Sequence, residues 1–162
     1  MKSIDHSKSF LESQAPFCPP NGNKSRPKAL AELDQLVALA SLATNTGTAV
    51  LIRLQDDQFV QEAAYGRPPE NQSDYSALYR HTMEKQALVT FDDLTLDPDW
   101  KSHPLARESN GLRRYGGTTI TDSEGLTLGI LAVHDPEPGN FSAESRQSLL
   151  HLSSLASRVF EA

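Results

Sequence analysis

A chain of 162 residues is long enough for one folded domain, or one domain with a tail, and short for two. Its mean hydropathy of -0.46 is low for a compact globule, so a polar segment must dilute an ordinary core. Net charge of -6 excludes indiscriminate nucleic-acid binding, and the single Cys18 excludes an intrachain disulfide and a cysteine-built zinc site. No apolar run approaches the ~20 residues that span a bilayer, and no apolar stretch follows Lys2 as a secretory signal requires. A cytoplasmic protein with neither membrane nor nucleic acid as partner is expected. The charge is uneven: ten acids against three bases lie between Gln55 and Asp99, whereas Lys101, Arg107, Arg113 and Arg114 face only Glu108 over 100–114. That reads either as a solvated acidic face beside a basic loop or as an anion-sized site at the loop.

Residues 1–27 are rich in Ser, Pro, Asn and Lys and have no apolar periodicity, so a flexible tail is expected there, with the domain over 28–162. A first helix over 27–45 carries Leu30, Leu33, Val37 and Ala40 at helical spacing, widened by Leu36 and Ala43, and stops at Gly47. Residues 48–54 and 58–65 read as a hairpin turning at Gln55-Asp56-Asp57, broken by Gly66-Arg67-Pro68-Pro69. A short helix over 73–85 presents Leu78, Thr82 and Met83 inward, and 87–91 is a brief strand. The stretch 92–110 is a long irregular connection in which Asp97-Pro98 can start one helical turn bearing Trp100; such loops often line sites.

Residues 112–138 read as the central hairpin. Asp122-Ser123-Glu124-Gly125 suits a type I turn closed by a glycine at positive φ, and the apolar run 126–133 predicts a strand covered on both faces. Ser142 then caps a last helix whose buried side is Leu149, Leu152, Leu155, Ala156 and Val159. Segregated helices and hairpins without βαβ alternation predict an α+β fold with a largely antiparallel sheet.

The motifs Leu88-Val89-Thr90-Phe91-Asp92-Asp93, Asp97-Pro98-Asp99-Trp100, Arg114-Tyr115-Gly116-Gly117, Glu124-Gly125, Leu128-Gly129-Ile130-Leu131-Ala132-Val133, Asp135-Pro136-Glu137-Pro138 and Phe141-Ser142 follow one another in an order that resembles the GAF domain family. The resemblance covers about the last 75 residues, from Ala87 on, while 28–85 fits in layout with little identity. It implies a GAF-like central antiparallel sheet of five or six strands, terminal helices packed on one face, and a pocket roofed by a helix and loops on the other. It also implies regulatory, ligand-sensing action in signal transduction and a homodimer through the terminal helices. The family's covalent bilin binders need a pocket cysteine, its free methionine sulfoxide reductases need several, and its cyclic-nucleotide binders carry an Asn-Lys…Phe…Asp-Glu signature. None of the three patterns is found in this sequence.

No catalytic role, cofactor or metal is expected, since no nucleophile–base pair or chelating histidine spacing is visible. Candidate ligand-binding residues are Arg114, Trp100, Tyr115, Asp97, His103 and Leu78. Arg114 stands where the family usually has an aromatic residue. If the face it shares with Leu112 and Ile120 looks into the pocket, its guanidinium would meet an anionic small molecule; the plainer alternative is an arginine that reaches solvent or a surface acid. The plainer reading of His103 is an exposed loop histidine, and of Asp92 and Asp97 turn and capping residues. The rival to ligand sensing is a ligand-free dimerisation or docking module acting through the terminal helices. It would show an exposed apolar stripe there over a filled interior. In either case no output domain is expected within 1–162, so a separate signalling partner is.

Overall fold

The computed structural model describes residues 28–67, 72–107 and 111–161; the expected tail over 1–27 lies outside them. In chain order the elements are α1 (Lys28–Thr44), β1 (Thr48–Gln55), β2 (Gln58–Tyr65), α2 (Gln72–Lys85), β3 (Val89–Phe91), a 3-10 helix (Leu94–Leu96), α3 (Pro104–Arg107), β4 (Arg114–Thr121), β5 (Thr127–Asp135) and α4 (Ala143–Glu161). The strands form one sheet in the order β2-β1-β5-β4-β3, with every neighbouring pair antiparallel. The fold is α+β, as the segregation of helices and hairpins predicts.

Alternation along the central strands builds two cores. Ala49 and Leu51 of β1 and Leu131 and Val133 of β5 pack beneath α1 and α4 with Leu33, Val37, Leu149 and Ala156. Val50 and Ile52, with Ile130 and Ala132, turn the other way toward Leu78 and Tyr79 of α2 and toward Leu94, Trp100 and Leu105 from the 92–107 connection. Strand β5 lies in the middle of the sheet and is buried continuously from Gly129 to His134, which is why its sequence is apolar without a polar face.

The two hairpin turns follow their residue chemistry. Asp56 and Asp57 both take positive φ (52° and 63°), the pair of left-handed residues that a two-residue loop between twisted strands needs. In the central hairpin Gly125 has φ 88°, its N–H donates to the Asp122 carbonyl, and the Asp122 carboxylate accepts from the N–H groups of Glu124 and Leu126. Ser142 caps α4 by accepting from the Ser145 N–H at 3.0 Å.

Three expectations are corrected. Leu155 is 45% exposed and Ala43 is also exposed, so the buried stripes of the terminal helices are narrower than their apolar spacing suggests. The connection after β3 is not irregular throughout. Asp93 caps the 3-10 helix through Thr95, and α3 follows. Arg113 then fastens α3 by donating to the carbonyls of Ala106 and Leu112.

Candidate functional site

Along β5 the residues Ile130, Ala132 and His134 share the face that α2 covers. His134 is only 4% exposed, and its Nε2 is buried without a hydrogen-bond partner among the described residues. The Tyr75 ring of α2 lies 5.0 Å from the imidazole. Burial lowers the pKa of His134 to about 4, with the neighbouring Asp135 carboxylate opposing the shift, so the ring is neutral at physiological pH. A buried polar atom with no partner is costly and asks for an explanation.

Beside this pair opens a cleft of about 700 Å³, lined among others by Thr48, Arg67, Tyr75, Leu112 and Asp135. The chain is drawn tightly around it. Gly66 leaves β2 at φ 86°, and a Cβ there would stand 1.9 Å from the Gly47 carbonyl oxygen. The Thr48 hydroxyl joins β1 to the end of β2, donating to the Arg67 carbonyl at 3.1 Å and accepting from the Arg67 N–H at 3.2 Å. Asp135 fixes the opposite lip: its carboxylate accepts from the Gly47 N–H at 2.7 Å and from the Glu137 N–H at 2.9 Å. The cleft therefore combines an aromatic wall, a buried neutral imidazole, a cation at the rim and a carboxylate already held by backbone donors.

The six candidates from the sequence fall elsewhere. Leu78 of α2 and Tyr115 of β4 are fully buried between that helix and the sheet, where the Tyr115 hydroxyl bonds that of Thr82 at 2.8 Å; burial raises the Tyr115 pKa. Trp100 is 8% exposed and packs among His81, Phe91 and His103, with ring centroids 5.6, 6.1 and 5.1 Å away. His103 is half-buried, and its Nδ1 accepts from the Leu105 N–H, shaping the start of α3. Asp97 holds its own turn by accepting from the Asp99 N–H at 2.9 Å. These five are brought to the α2 side of the sheet or its roof, but the 700 Å³ cleft is lined by other residues.

Arg114 is the main correction. Its face of β4 looks toward the terminal helices, because a Cβ at the neighbouring Gly116 would strike Phe141 and Leu149. Leu112 precedes the strand and packs on the α2 side, so alternation does not carry from Ile120 back to it. The Arg114 side chain is buried, and it reaches neither solvent nor the cleft. Its Nη1 donates to the Asn45 carbonyl at the end of α1 at 3.1 Å, and its Nη2 donates to the Asn140 carbonyl before α4. The guanidinium lies 4.2 Å from the Phe141 ring centroid. Burial lowers its pKa, opposed by the carboxylates of Asp135 and Asp92.

Two further depressions lie on the terminal-helix side. One of about 260 Å³, between the end of β4 and α4, is lined by hydroxyls including Thr119, Thr121, Ser153 and Ser157. The other, about 340 Å³, lies between α1 and α4 with Leu36, Leu39, Leu155 and Val159 in its walls. Among the described residues no three His, Cys, Asp or Glu side chains are grouped to hold a metal, and no helix is long and apolar enough to cross a membrane.

Comparison with known proteins agrees with this architecture. Over 58 residues the chain is 38% identical to a cyclic di-GMP phosphodiesterase of Pseudomonas aeruginosa, a match that spans 36% of this chain and 10% of that protein. Among solved structures it superimposes on the GAF domain of an Acinetobacter phosphoenolpyruvate-protein phosphotransferase with a TM-score of 0.66 at 15% identity, covering 99% of this chain and 94% of the other. A type II free methionine-R-sulfoxide reductase of Thermoplasma acidophilum gives a TM-score of 0.65 at 14% identity, with coverage of 82% and 92%, a likeness of fold alone. The model of the GAF domain matches residues 29–160. With that match over most of its length, and with a five-stranded antiparallel sheet sandwiched between terminal helices and α2, the chain belongs to the GAF domain family.

Proposed function

We propose that this GAF domain is a non-catalytic sensor in signal transduction, and that its small-molecule site is the cleft between Tyr75, His134 and Arg67. The observation that carries the reading is His134: a neutral imidazole placed at a cleft wall with its Nε2 buried and without a partner among the described residues. A ligand that displaces the Tyr75 ring would supply the missing partner, so binding would recover the cost of burying that nitrogen. The cleft rim is also joined to both terminal helices. Asp135 holds Gly47, three residues beyond the end of α1, and is paired in the sheet with Arg114. Arg114 in turn bonds the ends of α1 and of the α4 approach, and Ser145 of α4 donates to the Ala43 carbonyl. A change at the lip would thus bias helix packing, a population shift that a partner protein can read. The likeness to a phosphodiesterase supports an output in second-messenger turnover, carried by that partner.

Native mass spectrometry of the protein purified from its own source tests the reading. It should retain a small molecule that Tyr75→Leu loses; retention unchanged in Tyr75→Leu would remove this cleft from consideration.

A second reading has its own observation. Leu39 and Leu42 of α1 and Leu155 of α4 are 51%, 70% and 45% exposed, an unpartnered apolar stripe that favours homodimerisation through the terminal helices. The two readings are compatible, since a dimer of sensors would transmit the same helix shift.

A further inference from the structure

Resting on the cleft being the sensory site, we infer that its ligand is an aromatic anion: a planar ring carrying one carboxylate or phosphate group.

Charge selects the anion. Among the described residues that line the cleft, the charged side chains are Arg67 and Asp135. Asp135 is already engaged, one carboxylate oxygen accepting from Gly47 and the other from Glu137. Arg67 is exposed, and its backbone is pinned on both sides by the Thr48 hydroxyl, while no described side chain bonds or ion-pairs its guanidinium. A guanidinium held at a rim by its backbone, with no counter-ion among the described residues, suits bidentate recognition of a carboxylate or phosphate.

Shape and polarity select the ring. Tyr75 packs on His134 to give one aromatic wall, and Leu112 and Pro136 add apolar surface. Gly47 and Gly111 bring bare backbone to the same cleft, so a flat group can approach closely. The volume of about 700 Å³ lies in the range typical of small-molecule sites and greatly exceeds what an inorganic anion needs. His134 Nε2 then offers one hydrogen-bonding position at depth, reachable once the Tyr75 ring yields.

The test is isothermal titration and thermal unfolding of the full chain with benzoate, phenyl phosphate, benzamide, benzylamine and inorganic phosphate, on wild type, Arg67→Gln and Tyr75→Leu. Arg67 is exposed, so its substitution leaves the fold intact by circular dichroism. Benzoate or phenyl phosphate should bind and raise the melting temperature, and Arg67→Gln should weaken that binding at least tenfold. Inorganic phosphate should bind at least tenfold more weakly than phenyl phosphate. The carboxylate and phosphate arms distinguish an aromatic acid from a nucleotide-like ligand. Binding of benzamide or benzylamine in preference, lost in Tyr75→Leu, would overturn the anion while leaving the sensory cleft in place. Inorganic phosphate binding as tightly as phenyl phosphate would overturn the ring. Failure of every probe would overturn the ligand class, and the sensory reading would then stand or fall on the retained molecule alone.

Discussion

Arg114 and His134 are two buried ionisable residues that the fold treats in opposite ways. Arg114 keeps its charge by donating to the carbonyls of Asn45 and Asn140, so it acts as a cap on α1 and a tie to α4. Replacing it by Ala leaves both carbonyls unpaired at a buried corner and should cost roughly 2–3 kcal/mol in urea unfolding. Arg114→Lys should recover little of that, since one ammonium cannot reproduce the planar fork. His134 instead gives up its charge. Its folded pKa near 4 lies below the ordinary 6.5, so between those values the unfolded chain binds a proton that the folded chain refuses. Its stabilising contribution is complete above pH 6.5 and is lost as pH falls toward 4, at up to about 1.4 kcal/mol per pH unit. His134→Gln should flatten the dependence of stability on pH in that window relative to wild type. Identical slopes would show that the imidazole is not the titrating group. Neither role is legible in residue type: strand alternation carried back to Leu112 runs two residues past the start of β4, and no chelating spacing marks His134.

At the scale of elements, the central hairpin was the most legible part of the chain, because turn chemistry and a doubly covered strand both leave local marks. The Asp122–Gly125 turn and the burial of β5 follow from them directly. One close approach is hidden in the same strand. A Cβ on Gly129 would lie 2.0 Å from the Ile52 carbonyl oxygen, inside the β1–β5 ladder, so Gly129→Ala should destabilise by more than about 3 kcal/mol and reduce soluble yield. The connection 92–110 was the least legible element. Its 3-10 helix and α3 are held by Asp93, His103 and Arg113 acting on nearby backbone, and such capping is set by geometry more than by periodicity. The same locality hid the site. His134 is far in sequence from Arg67 and Tyr75, and the pairing of β1 with β5 and the closure of β2 against Gly47 bring them together. A histidine ending an apolar strand run was the signal available for it.

For the whole molecule, the layered order of helices and hairpins gave the α+β architecture, and the motif series gave the family. What a single chain could not reveal was which apolar positions remain uncovered. Leu155 has the spacing of a core residue yet faces outward on α4, as Leu39 and Leu42 do on α1. If that stripe joins two copies, analytical ultracentrifugation should show a dimer at micromolar concentration. Leu39→Glu with Leu155→Glu should convert it to a folded monomer. A monomeric wild type at millimolar concentration would remove the dimer.

The central claim is that the Tyr75–His134–Arg67 cleft senses a molecule and passes the event to α1 and α4 through the Asp135–Arg114 corner. Hydrogen exchange measured on the protein as purified from its own source, and again after unfolding and refolding to strip bound molecules, tests it most directly. Slower exchange in the loaded protein is predicted around Thr48, Tyr75 and His134, accompanied by a change at the end of α1 and the start of α4. Protection confined to the segment around Trp100 and Tyr115, with the cleft and helix ends unchanged, would contradict the account.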